Sequence, residues 1–188
     1  MYSQAGQDIY VYKLIGDGGT YFEIGSGEPI KCNNTYLLEN NGWKGVSIEQ
    51  EEKWVNDFLK IRKNKCIQGD SRKMDIKKIL DENFDNKVID YLSLDVDEAT
   101  HDTFLNIPFD DYTFKVITVE HDKYSNGDEL QKFLRKNLYS LGYELICSDV
   151  CFRWNNGGGP FEDWWVHPKH VDVSKLKKYD NCDYQNLT

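Results

Sequence analysis

The chain runs to 188 residues, 39% hydrophobic and 14% aromatic, which is enough apolar material for one globular domain and too much for a disordered chain. A formal net charge of −9 argues against a nucleic-acid partner, because neutralising phosphates takes clustered Lys and Arg. No apolar run approaches bilayer-spanning length and no basic-then-apolar leader opens the chain, so a soluble, cytoplasmic protein with no membrane partner is expected.

Apolar strands alternate with amphipathic helices along the chain. The first strand, expected over residues 20–25, runs into the turn Gly25-Ser26-Gly27-Glu28-Pro29. A helical pattern over 33–41 leads to a second strand over 45–49, which ends in the carboxylate of Glu49. Glycines after a first strand let backbone approach a ligand closely, and an acid ending the second strand can accept hydrogen bonds from a ribose diol. The third glycine of the dinucleotide fingerprint is missing, since Pro29 and Ile30 stand in its place. For Glu49 the alternative is a solvated acid capping the helix that follows.

Further helices are expected over 51–62, 74–82, 99–105 and 127–140, with strands over 65–68, 89–95 and 115–120. The basic run Lys60-Ile61-Arg62-Lys63-Asn64-Lys65 falls at a helix end, where it reads as a solvated cap complementing the helix dipole. Such βα alternation predicts a mostly parallel sheet with helices on both faces. The last two strands, over 143–148 and 162–167, have only a glycine-rich loop between them, so they form an antiparallel pair at a sheet edge. Seven strands in one domain over 1–188 are expected, with residues 1–19 as an N-terminal lid or strap and 171–188 as a loose polar tail. Cys32, Cys66, Cys147, Cys151 and Cys182 include no CxxC pair and read as structural.

Taken in order, Ser3 to Asp8, Phe22 to Gly27, Asn33 to Glu39, Gly42-Trp43-Lys44-Gly45, Ile48-Glu49, Leu94 to Asp97, Val116 to Asp122, Gly142-Tyr143 and Phe161 to Trp164 resemble the FkbM-type S-adenosylmethionine-dependent methyltransferases. The resemblance implies a Rossmann-like class I α/β fold, S-adenosylmethionine as cofactor, and methyl transfer to an oxygen of a sugar or natural product. It implies that Glu23 sits beneath the methionine part of the cofactor, where a bound ammonium would offset the desolvation of its carboxylate. It assigns cofactor contacts also to Gln7 on the lid, to Gly25, Ser26, Gly27 and Asn34, and to Glu49. Asp70 and Ser71, after the third strand, resemble the adenine-side loop, although either serves equally as a helix N-cap.

Methylating a hydroxyl requires removing its proton, and the tips of the fourth and fifth strands flank the place where that happens. Asp95 points at the methionine end of the cofactor in the resemblance; Asp97 and His121 are the candidate bases, with Asp122 close by. No metal ligand is assigned, although several acids on two adjacent strand tips suit a divalent cation. Trp154, Trp164, Trp165 and Tyr124 are candidates for an aromatic floor under a sugar; alternatively the paired tryptophans alternate across their strand, one buried and one exposed. One departure stands out: the family's Asp-Val-Glu-Gly reads Asp95-Val96-Asp97-Glu98 here, which changes the loop facing the acceptor. The expected partner is a small-molecule or terminal-saccharide acceptor. Competing readings are an RNA or protein methyltransferase, a cofactor-binding module without catalysis, and an NAD-dependent oxidoreductase.

Overall fold

Central strands buried on both faces organise the chain. In the computed structural model, which describes residues 1–151 and 159–180, these are β1 (Thr20–Ile24), β4 (Val88–Leu94) and β5 (Thr113–Glu120). Their interior residues alternate between two apolar layers: Phe22 and Ile24 pack on one side of the sheet, Tyr21 and Tyr91 on the other. Near-continuous apolar runs of this kind are what a sheet covered on both faces demands.

The helices supply the covers. In α3 (Glu52–Ile61) Val55 and Phe58 fall one turn apart and are buried, as do Gln131, Leu134 and Leu138 of α7 (Glu129–Ser140). α4 (Ile76–Asn83) starts at Asp75, whose carboxylate accepts from the Lys78 N–H at 2.9 Å. The shorter helices are α2 (Tyr36–Asn40), α5 (Thr100–Asn106) and α6 (Lys123–Asn126).

With β2 (Lys44–Glu49), β3 (Lys65–Gln68), β6 (Glu144–Cys151), β7 (Pro160–Val166) and β8 (Tyr179–Asp180), the sheet has eight strands in the order β3-β2-β1-β4-β5-β7-β6-β8. β1 pairs in parallel with both β2 and β4, so the winding reverses there and a crevice opens beyond the carboxyl ends of these strands. The expected antiparallel β6–β7 pair forms toward this end of the sheet, with β7 as its inner strand against β5 and β8 taking the edge outside β6.

Several local expectations change. Residues at the N-terminus form a helix, α1 (Gln7–Ile15), with Val11 buried in the second core. The tail as far as Asp180 is anchored: Val171, Val173, Leu176 and Tyr179 pack against that core, and β8 adds an eighth strand beside β6. Both Trp164 and Trp165 are fully buried, one on each layer, because the helices cover both faces of β7. They are core residues and form no sugar floor; Trp154 and Cys182 lie outside the described residues. Arg62 is no solvated cap either. Its guanidinium is buried and donates to Glu39, the Pro29 carbonyl, Asn33, Tyr21 and Thr35, at 3.0 to 3.2 Å. It thereby ties the end of α3 to the segment that follows the glycine turn.

Candidate active site

A cleft of about 570 Å³ opens where the sheet winding reverses. Its floor is the turn Gly25-Ser26-Gly27, and its walls come from the tips of β2 and β4 and the start of α3. Gly25 has φ +85, and a Cβ there would stand 1.6 Å from the Asp95 carbonyl oxygen. The tips of β1 and β4 touch through backbone at this point, so the absence of a side chain is compulsory. Gly27, at φ +54, has nothing within 4 Å of a notional Cβ and faces open space. The two glycines therefore do different work: the first closes the fold and the second leaves room.

Glu49 reaches this turn from β2. Its carboxylate accepts from the Gly27 N–H at 2.7 Å and from the Glu51 N–H at 2.8 Å, and its residue is 7% exposed. Further along the wall, Ser71 is buried, shares a hydrogen bond with Thr103 at 2.8 Å, and lines the cleft. Trp54, Ile48, Val96 and Ala99 supply apolar surface. Glu28, Glu49, Glu51, Asp95, Asp97 and Glu98 outnumber the basic lining residues Lys31 and Arg72, and Arg72 is already paired with Asp70 at 2.8 Å. A cleft so lined favours a cationic occupant.

At its far end the tips of β4 and β5 bring four carboxyls together. Burial raises the Asp95 carboxyl above its ordinary value, and burial together with the adjacent Asp95, to which it is hydrogen-bonded, raises Glu120 well above its own. Burial and the neighbouring Asp97 also push Asp122 upward. Asp97 and Asp122 both adopt left-handed backbone, with φ of 48 and 47, a conformation Asp tolerates better than most residues.

The remaining candidates fall elsewhere. Glu23 is buried away from the cleft, and its carboxylate accepts from Thr35 at 3.0 Å and Ser47 at 2.6 Å, so protein hydroxyls take the place foreseen for a ligand ammonium. Asn34 donates to Ser93 at 3.0 Å. Gln7 turns to the sheet, donating to Glu162 at 2.5 Å and accepting from the Ala5 N–H at 2.8 Å. From that segment Gln4 is the residue that reaches the cleft. Asp70 points outward to Arg72 and Lys73. His121 is buried; its Nδ1 accepts from the Lys123 N–H at 3.2 Å and its Nε2 lies 3.6 Å from Asp163, so neither nitrogen meets the cleft. Cys32 is exposed on the cleft wall, unlike the buried Cys66 and Cys147.

The acid pair of Glu120 and Asp122, with Gln4, is what sequence reading underweighted. Glu120 was visible only as the last residue of a strand. A second hollow, of about 830 Å³, lies among Thr20, Lys44, Lys65 and Lys115. It opens at the amino ends of the strands, where open α/β sheets do not place their ligands. No helix among the described residues is long and apolar enough to cross a membrane.

No family model and no curated protein matches the chain. Solved structures do. An O-methyltransferase from Bacillus cereus in complex with SAH aligns at 17% identity and a TM-score of 0.56, covering 86% of this chain and 80% of that one. Aeropyrum pernix fibrillarin with natively bound S-adenosyl-L-methionine aligns at 13% identity and 0.57, covering 87% and 74%. A TehB-like SAM-dependent methyltransferase from Corynebacterium glutamicum aligns at 12% and 0.56, covering 86% and 87%. At such identities the likeness concerns architecture, and the chain has the class I methyltransferase fold.

Proposed function

We propose that this protein is an S-adenosylmethionine-dependent O-methyltransferase acting on a hydroxyl of a sugar or glycan. The observation that carries the cofactor part is the Glu49 carboxylate held against the Gly27 turn at the winding reversal, inside a cleft whose lining is mostly acidic. S-adenosylmethionine fits that donor set, because its ribose offers two hydroxyls to Glu49 and its sulfonium and ammonium suit the surrounding carboxylates. The cofactor supplies an activated methyl group. The chain's own share is to hold the ribose with Glu49, leave backbone room at Gly27, and keep adenine against Ile48 and Trp54. Holding two reactants in line supplies most of the acceleration in such a transfer.

On this reading the acceptor approaches from solvent over the tip of β4, where Asp97 is exposed and lines the cleft. An exposed carboxylate there can take the hydroxyl proton, a role the buried His121 has no path to fill. The sugar acceptor rests on the resemblance to FkbM-type enzymes. Calorimetry with S-adenosylmethionine and with NAD tests the proposal first. Binding of the methyl donor alone is expected, weakened roughly 10-fold or more by Glu49→Gln, since hydrogen bonds to charged groups contribute about 1.5–3 kcal/mol. Binding of NAD instead, or equal donor affinity in that variant, overturns it.

A further inference from the structure

We infer that Arg62 is a positioning residue for the Glu49 end of the cleft: through Asn33 and the Pro29 carbonyl it holds the glycine turn so that the Gly27 N–H meets Glu49. Neither Arg62 nor Asn33 lines the cleft. The segment they hold does, at Ser26, Gly27, Glu28, Lys31 and Cys32.

Residues 25–35 lie between β1 and α2 in neither helix nor strand, so their shape depends on individual hydrogen bonds. At its start the Gly25 N–H joins the Ile48 carbonyl at 2.9 Å. Asn33 then fastens the turn from behind. Its Nδ2 donates to the Ser26 carbonyl at 3.0 Å, while its Oδ1 accepts from the Thr35 and Tyr36 N–H groups at 3.0 and 2.8 Å. That Oδ1 also takes one N–H of Arg62 at 3.0 Å, and the second N–H of the same nitrogen goes to the Pro29 carbonyl at 3.0 Å. One guanidinium thus grips the segment in its middle and near its end.

Only arginine suits this place. Its five N–H groups are all used, one each for Glu39, Pro29, Asn33, Tyr21 and Thr35. Lysine offers three donors from a single point and cannot serve acceptors spread over such a fork. The Arg62 side chain is fully enclosed, with Glu39 answering its charge at 3.0 Å. Thr35, which accepts from Arg62, in turn donates to the buried Glu23 of β1 at 3.0 Å. Breaking any of these bonds leaves a buried polar group without water, which makes the network stiff. The positioning is a property of the chain itself, whereas its bearing on the methyl donor rests on the methyl-transfer reading.

Amide hydrogen exchange of the ligand-free full chain, resolved by residue with nuclear magnetic resonance, tests the positioning without reference to activity. The decisive variant is Asn33→Asp, which keeps an acceptor for Arg62, Thr35 and Tyr36 and removes the donor to the Ser26 carbonyl. Exchange of the Gly27 amide is expected to quicken roughly 10-fold or more in Asn33→Asp and in Arg62→Lys, while β4 and β5 keep their wild-type rates. Affinity for S-adenosylmethionine should fall roughly 10-fold or more in both, and stay within about threefold in Leu138→Ala, a core truncation of α7 that lowers stability away from the turn. Unchanged Gly27 exchange in folded Asn33→Asp overturns the positioning role, whether or not a donor binds. Equal quickening of β4 and β5 overturns it too, because the tie is then merely structural. Faster Gly27 exchange in a protein whose wild type binds no methyl donor keeps the role and sinks the methyltransferase reading. Faster exchange with undiminished donor affinity in both variants overturns its bearing on the donor.

Discussion

At the residue scale the two glycines of the β1 turn make separable demands. Gly25 faces the Asp95 carbonyl at a distance no Cβ can share and also sits at φ +85. Gly25→Ala must push β1 and β4 apart, and a loss of about 3 kcal/mol or more is expected in urea unfolding, the range of strained core substitutions. Gly27→Ala meets open space and carries only the left-handed penalty of about 1–2 kcal/mol, yet it puts a methyl group into the cleft. It should therefore lose donor affinity out of proportion to stability, and equal behaviour of the two variants would refute the division. Asp97 belongs to the same scale. Asp97→Asn keeps the size of the side chain and removes its charge, so donor affinity should hold within about threefold while kcat falls roughly 100-fold, the usual contribution of a proton acceptor.

At the element scale, β5, β6, β7 and α7 are joined by charge. Arg135 of α7 binds Asp163 of β7 and Asp149 of β6, and Gln131 reaches Asp149 at 3.0 Å. Burial opposes ionisation of both aspartates, yet Lys123 and Arg135 around Asp149, and Arg135 and His121 around Asp163, hold them below the ordinary carboxylate value. Depressed folded pKa values mean that the unfolded chain takes up protons first. The stability they contribute is thus present above pH of about 4 and is lost as pH falls through the folded values. Arg135→Met leaves Asp149 to Lys123 and Gln131 but takes the guanidinium from the buried Asp163, so a loss of about 3–5 kcal/mol near neutrality is expected, together with a flatter acid limb in chemical unfolding. An unchanged acid limb would show that the cluster is ornamental. The same elements show what a sequence can and cannot convey. Periodicity placed β1, β2, β4 and β5, and with them the glycine turn and Glu49, because those signals are local. Arg62 and His121 were misjudged because their burial depends on partners remote in the chain, Glu39 and Tyr21 for one, Asp163 for the other. Trp165 was half read: alternation fixed its face, but only the covering α7, through Tyr139 at 5.0 Å, decides that this face is dry.

For the whole molecule, the hydrogen bond among the described residues that spans most sequence is Gln7 to Glu162, which fastens the N-terminal helix to the inner antiparallel strand across 155 positions. It sits behind the acidic end of the cleft, and its electrostatics oppose those of the Arg135 cluster. Burial, and after it the Asp95 charge, push Glu162 up to about 8 although Trp164, Thr118 and Gln7 hydrogen bonds favour the ionised form. An unfolded glutamate titrates near 4.5. Between those values the folded chain holds a proton that the unfolded chain has released, so the folded state binds more protons and stability falls as pH rises, by at most about 1.4 kcal/mol per unit. Above the folded value the loss is complete and the curve levels. Acid unfolding through Asp149 and Asp163 and this alkaline decline through Glu162 together place maximum stability in mildly acidic solution. Glu162→Gln retains an acceptor for Gln7 and abolishes the titration. Its unfolding free energy should decline less steeply than the wild type's between about pH 5 and 8, because the other buried carboxyls still titrate, and the variant should be the more stable protein at the upper end. Parallel curves for the two proteins would mean that Glu162 is already ionised in the fold, and that a positive charge lies closer to it than Gln7.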